Sequence, residues 1–185
     1  MTTLAISTSS NDCSGDTLPS FSNSSTGLPI GNISAGDQPT KVWIPFVVPI
    51  NRGVDIVSAT LRVIAASSES GETVTVKVGC EAEDNPSAPG SWASLNGRTM
   101  TTAYTTVASV PSWMAGTEYT FDVTDAVQEI LNRAGFANGN TIAILIHDNG
   151  STPDKARTIS ADENTSYAAA ILEIVYSGEQ QVIMI

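Results

Sequence analysis

One histidine, two cysteines and nineteen carboxylates are the main reactive side chains of this chain. His147 follows an apolar run and precedes Asp148-Asn149-Gly150, a strong turn signal. Histidine acts as a catalytic base only beside a nucleophile, and no Gly-x-Ser-x-Gly segment supplies one. A lone histidine at a strand end reads as structural. No Gly-rich segment of the phosphate-cradling kinds occurs, and Cys13 and Cys80 have no zinc-site spacing. A glycosidase needs two carboxylates facing one sugar ring, and so acidic a chain offers too many candidates for their presence to decide anything. Glu81, Glu83 and Asp84 cluster in one loop, and Asp162 and Glu163 in another. Calcium takes its oxygens from such loops and either could hold it, with Glu83 and Asp84 the first candidate ligands. No EF-hand spacing is present, and solvated loop acids explain the same pattern. Trp92 and Trp113 lie among Pro and Gly and are candidates to stack on sugar faces, whereas Trp43 sits in an apolar strand and belongs to the core. Packing under long loops competes for both candidates and is the favoured account.

These residues must be carried by one domain. A chain of 185 residues suits a single domain that buries roughly 70% of its unfolded surface. The net charge of −11 repels phosphate backbones and argues against nucleic acid. A charged fraction of 15% with abundant Ser, Thr, Asn and Gly is the balance of extracellular β-proteins and virion parts, not of charge-rich helical proteins. The opening MTTLAISTSSND has neither the basic nor the apolar region of a secretion signal, and no apolar run reaches membrane-spanning length. Export by another route, such as release inside a virus particle, is the corresponding expectation. Two cysteines make no disulfide scaffold; whether they pair is open, with two separate buried thiols, or a thiol in a loop, favoured.

The hydrophobic pattern is that of an all-β protein. Residues 42–48 (VWIPFVV) are apolar and β-branched, with Pro45 marking an edge or bulge. In residues 55–65 (DIVSATLRVIA), Val57, Ala59, Leu61 and Val63 point one way and Ile56, Ser58, Thr60 and Arg62 the other. Residues 73–78 (TVTVKV) alternate as a half-buried strand does. Residues 141–146 (TIAILI) and 170–176 (AILEIVY) read as further strands, the first nearly all apolar as a central strand is. Glu69-Ser70-Gly71-Glu72 is a turn, and residues 11–25 read as a long polar loop after a short first strand. One helix is expected over residues 122–133. Val123, Ala126, Val127, Ile130 and Leu131 share a face, Asp122 is placed to cap, Asp125 favours the positive end, and Gly135 stops it.

Eight segments in this order resemble the β-sandwich modules grouped with DNRLRE-type and related carbohydrate-binding domains of bacterial surface proteins and similar phage modules. They are Leu28-Pro29-Ile30-Gly31, residues 42–46, residues 54–63 (VDIVSATLRV), residues 83–92 (EDNPSAPGSW), residues 98–103 with Pro111-Ser112-Trp113, residues 121–131, Gly135-Phe136 with residues 138–146, and residues 156–163 with 171–176. The strand at 42–46 lacks the usual arginine, and Ala168-Ala169-Ala170 stands where a proline is usual. The resemblance implies a jelly-roll-like antiparallel β-sandwich with one short helix. It says little of ligand, since such modules occur in hydrolases, adhesins and virion proteins alike.

The expected function is that of a non-enzymatic virion structural protein, a bacteriophage capsid decoration (cement) protein that forms a homo-oligomer and contacts the major capsid protein. The alternative is a carbohydrate-binding or adhesion module of a cell surface or phage tail. Neither calls for a cofactor beyond possible calcium. The sandwich is expected over residues 1–177, and residues 178–185 form an apolar tail. Val182, Ile183, Met184 and Ile185 follow the polar break Ser177-Gly178-Glu179. Each large apolar side chain is worth roughly 1.5–3 kcal/mol when buried. An exposed apolar end invites association, so the tail is assigned to assembly. Deleting residues 179–185 is expected to leave the sandwich folded and to weaken assembly. Light scattering checks this, and a truncated chain that assembles as well as the full one, or unfolds, rejects it.

Overall fold

Strict alternation of β-branched residues builds a sandwich here, because each strand has one face to bury. The structure, a computed structural model, describes residues 1–8, 11–16, 20–33, 39–71 and 73–177. Within them run β1 (Thr2–Ser7), β2 (Cys13–Asp16), β3 (Phe21–Ser22), β4 (Gly27–Asn32), β5 (Thr40–Val47), β6 (Ile56–Ile64), β7 (Val74–Glu81), α1 (Trp92–Asn96), β8 (Met100–Val110), β9 (Glu118–Asp122), α2 (Thr124–Leu131), β10 (Thr141–Asp148), β11 (Lys155–Ser160) and β12 (Ile171–Tyr176). One sheet has the order β1-β12-β6-β9, the second β3-β2-β5-β10-β7-β8, and β11 and β4 form a separate ribbon. Every strand pair is antiparallel. With β2, β3, β4 and β11 set aside, the sheets read β1-β12-β6-β9 and β5-β10-β7-β8. That is the order of an eight-stranded jelly roll, the all-β sandwich expected from the pattern.

The inner faces supply the main core. Val42, Ile44 and Phe46 of β5, Ile142, Ile144 and Ile146 of β10, and Val74, Val76 and Val78 of β7 meet Ala59, Leu61 and Val63 of β6 and Leu172 and Ile174 of β12. The alternation read in residues 55–65 holds from Ala59 onward. Val57, at the strand's outer end, is 53% exposed. α2 adds Ala126, Val127, Ile130 and Leu131 to the same core. Its first turn differs from expectation. Val123 holds the cap position without a side-chain bond. The Asp122 carboxylate instead accepts the Thr124 N–H at 2.9 Å and the Thr124 hydroxyl at 2.6 Å, one residue before the position expected of it.

Two departures matter for function. Residues 11–25 are not all loop: β2 pairs with β5 and β3 with β2, which widens the second sheet to six strands. Short polar residues (Ser14, Gly15, Asp16) carry no hydrophobic alternation, so that pairing leaves no mark in the sequence. A second helix, α1, forms after Ser91, whose hydroxyl accepts the Ser94 N–H at 3.2 Å. The apolar tail 182–185 lies outside the described residues.

Gly31, next to the last residue of β4, has φ +106°. A Cβ there would stand 2.7 Å from the Lys155 carbonyl of the paired strand, so both backbone conformation and space require glycine. Gly53, at φ +74°, has nothing within 4 Å of the same position. Gly53→Ala is therefore expected to cost only backbone strain, about 1–2 kcal/mol. Gly31→Ala adds overpacking, for about 3 kcal/mol or more in total. Urea denaturation of the two variants checks the order, and equal losses would reject this account of Gly31.

Candidate functional site

The outer face of the six-stranded sheet holds the groups whose chemistry is least explained by the core. Strand register sets Gly15, Lys41, His147, Lys77 and Thr106 in one row, and Cys13, Trp43, Leu145, Gly79 and Tyr104 in the next. The second row is partly roofed. Trp43, Leu145, Ala143, Cys13 and Leu95 of α1 form a second, smaller core, with Trp92 packed against it. The Trp92 ring lies on Gly15, where a Cβ would come within 2.7 Å of it. One chain of polar bonds pins this roof. The Trp43 indole N–H donates to Glu81 at 2.7 Å, and Arg98 bonds the other Glu81 oxygen at 2.6 Å. Arg98 also donates to the Ser87 carbonyl at 3.0 Å. Glu81 is 2% exposed, a buried carboxylate that is tolerable because two donors meet it.

Beyond Gly15, which Trp92 covers, the first row is half-buried and cationic. Lys41 and Lys77 flank His147, and none of the four ion pairs among the described residues involves either lysine. Lys41 Nζ donates to the Asn96 carbonyl at 3.0 Å, at the C-terminal end of α1, and burial lowers its pKa. Lys77 Nζ stands 5.1 Å from the centre of the Tyr104 ring, a cation–π distance. Tyr104 is 46% exposed. His147 Nε2 is buried with no hydrogen-bond partner. Burial, then the charges of Lys41 and Lys77, push its pKa down to about 4. Its ring is therefore neutral at neutral pH and has no hydroxyl or thiol to activate at Nε2.

The other residues singled out in the sequence have structural partners. Trp113 is 3% exposed and stacks on Tyr119 at 4.8 Å, so its ring is packing and not an open sugar platform. Trp92 is half-buried on Gly15. Asp84 bonds Arg133 at 2.6 Å, while Glu83 is exposed beside it. Cys13 and Cys80 are free thiols in different cores, on opposite faces of one sheet. Burial pushes Cys13 up to about 12 and Cys80 in the same direction, which keeps both protonated and inert. Glu163 does gain a partner the sequence did not suggest. Asp12, in the segment read as loop, accepts the Asp162 N–H at 3.0 Å and lies beside the Glu163 carboxylate. No three His, Cys, Asp or Glu side chains among the described residues form a group able to hold a metal ion.

A cleft of about 380 Å³ near Ile50, Arg52, Asp55 and Tyr176 contains neither histidine nor cysteine. A groove of about 330 Å³ between β8 and β9 is lined by Val107, Val110, Trp113, Tyr119 and Phe121. β8 is the edge of its sheet, and α2 covers its start: Glu129 accepts the N–H groups of Thr102 and Ala103 at 3.1 and 2.8 Å. Burial opposes ionisation of Glu129, but these donors and the Thr102 hydroxyl outweigh it and lower its pKa. The sequence could not reveal the Lys41–His147–Lys77 row, because register is fixed only when strands pair. No protein-family model matches the chain, and no curated protein matches it.

His147 gives the site its pH dependence. Unfolded, the ring has its ordinary pKa of 6.5; folded, about 4. As pH falls from 6.5 towards 4 the unfolded chain gains a proton that the folded chain refuses, so native stability present at neutral pH is lost through that window. The loss is at most about 3 kcal/mol, and less because the ring is not fully buried. His147→Gln is expected to fold and to remove this part of the pH dependence. Urea denaturation of both proteins at pH 7 and 4.5 checks it; a wild-type minus variant difference that stays constant with pH rejects it.

Proposed function

We propose that the protein is a non-enzymatic structural module of a virus particle, a decoration protein that docks on the capsid as an oligomer. The observation that carries the reading is the fate of its chemically capable groups. His147 sits neutral between two lysines, with no partner for Nε2. Both thiols are buried, and Glu81 and Asp84 are each tied to an arginine. All three tryptophans pack against the protein itself. A rigid two-core sandwich with a polar, Ser- and Thr-rich surface suits a lattice component. The acidic surface suits a basic docking face on a capsid. The resemblance to sandwich modules of phage proteins points the same way.

A second reading has one observation in its favour. The exposed Tyr104 ring beside Lys77, with Lys41 on the same row, is a platform and charge pair for an acidic sugar. As a carbohydrate-binding module the protein would use this row, not Trp113.

Light scattering together with a glycan array that includes uronic-acid and sulfated polymers separates the two. The decoration reading expects a defined oligomer, no glycan retained, and a gene beside that of a major capsid protein. Retention of an acidic glycan, lost in Tyr104→Ala and Lys77→Glu, overturns it in favour of the second.

A further inference from the structure

We propose that Asp12 and Glu163 hold a calcium ion, a site that joins the start of β2 to the loop between β11 and β12. Asp12 is 1% exposed. One of its oxygens accepts the Asp162 N–H at 3.0 Å, and the other, Oδ1, is buried with no donor. Glu163 Oε2 is likewise buried and without a donor. A buried carboxylate oxygen left unpaired is costly, and two that act on each other are costlier, since each opposes the other's ionisation. Burial is the first cause that raises the Asp12 pKa; the charges of Glu163 and Asp162 and a side-chain contact with Glu163 add to it, and no cationic group acts on it. On its other side the adjoining Cys13 feels Arg98 and Glu81, which are already paired with each other. A cation placed between Asp12 and Glu163 supplies the missing charge.

The donors present are carboxylate oxygens, and the neighbouring Cys13 thiol stays protonated, so the chemistry selects a hard ion. Among the described residues, no third His, Cys, Asp or Glu side chain completes the group. The remaining ligands are then backbone carbonyls, amide oxygens and water, which calcium accepts readily and at variable geometry. The loop that carries Glu163 is held in place by its own hydrogen bonds. Ala161 N–H and Asn164 Nδ2 both donate to the Thr26 carbonyl, at 3.3 and 2.9 Å. Asn164 Oδ1 accepts the Ser166 and Tyr167 N–H groups at 2.9 and 3.1 Å. Two carboxylates at one site place the affinity in the weak class of extracellular modules, about 10⁻⁴–10⁻³ M.

The full chain, treated with EDTA and dialysed, is titrated with CaCl₂ at pH 7.5 by calorimetry and by thermal melting. One ion per chain and a melting temperature raised by several degrees at 10 mM calcium are expected, with a smaller shift for MgCl₂. At pH 5.5 protons compete and the shift shrinks. Asp12→Asn and Glu163→Gln should abolish the calorimetric site, and Asp84→Asn should leave it intact. If Asp12→Asn does not fold, the wild-type stoichiometry and Glu163→Gln decide. No saturable site in the wild type overturns the proposal. So does a calcium response that survives Glu163→Gln, or a metal-free protein that Asp12→Asn stabilises at pH 8 while calcium does nothing, which is a shared proton in place of an ion.

Discussion

The constraint on which the rest of the structure depends is that the six-stranded sheet must be buried on its inner face and over the apolar middle of its outer face. Its inner strand β10 is apolar over residues 142–146: Ile142, Ile144 and Ile146 face the other sheet, and Ala143 and Leu145 face outward. A jelly roll covers only the inner face. Left bare, Leu145, Ala143 and the Trp43 indole would form an exposed apolar patch of the kind that drives association. The loop from β7 to β8, with α1 inside it, exists to cover them. The Trp43–Glu81–Arg98 chain fixes where it lies. Burying Glu81 and Arg98 is not a strong source of stability, because desolvation offsets most of the attraction. What the chain supplies is position, since an indole, a carboxylate and a guanidinium satisfy one another in only one arrangement of the loop.

That cover also defines the exposed surface. It extends over the row of Trp43 and stops at the row of Lys41, where Lys41 donates to the Asn96 carbonyl at the end of α1. The cationic row is therefore a boundary between a roofed and an open half of one sheet face. Its two lysines stand together on a chain of net charge −11. Whatever the protein docks against, this row is where its field departs from the rest of the surface.

The strands with a hydrophobic alternation were legible in the sequence because burial and period coincide in them. TVTVKV buries Val74, Val76 and Val78, and TIAILI is apolar after Thr141 because both faces of β10 are covered there. α2 was legible for the same reason, with Ala126, Val127, Ile130 and Leu131 inside. Where side chains are small and backbone pairing alone makes the strand, the pattern is silent. β2 is Cys-Ser-Gly-Asp, and its Gly15 is required by a tryptophan 77 positions away. β8 hides similarly, since its Thr-rich sequence alternates weakly at a sheet edge. The candidate site was less legible than the fold. Trp113 drew attention as an aromatic among turn residues, but only its contact with Tyr119 shows that it is packed. Lys41, Lys77 and Tyr104 lie on three separate strands and become neighbours through register alone.

Asp12 carries the same lesson to the energetics. A carboxylate beside Asp162 and Glu163, 150 residues away in sequence, is an unfavourable neighbour by charge, and its pKa rises to about 7 through burial first and those acids second. His147 moves the opposite way for the same first cause. Metal-free, Asp12 makes the fold less stable as pH rises from 3.8 towards 7, whereas His147 makes it more stable as pH rises from about 4 to 6.5. Over most of that range the two slopes oppose each other, so a flat pH profile would hide two perturbed groups. An ion at Asp12 breaks the balance, because it removes the cost of ionising Asp12 and leaves that of protonating His147. The fold then becomes more stable towards neutral pH. What these two groups together contribute to the profile thus depends on whether the carboxyl pair is neutralised by a proton or by a metal.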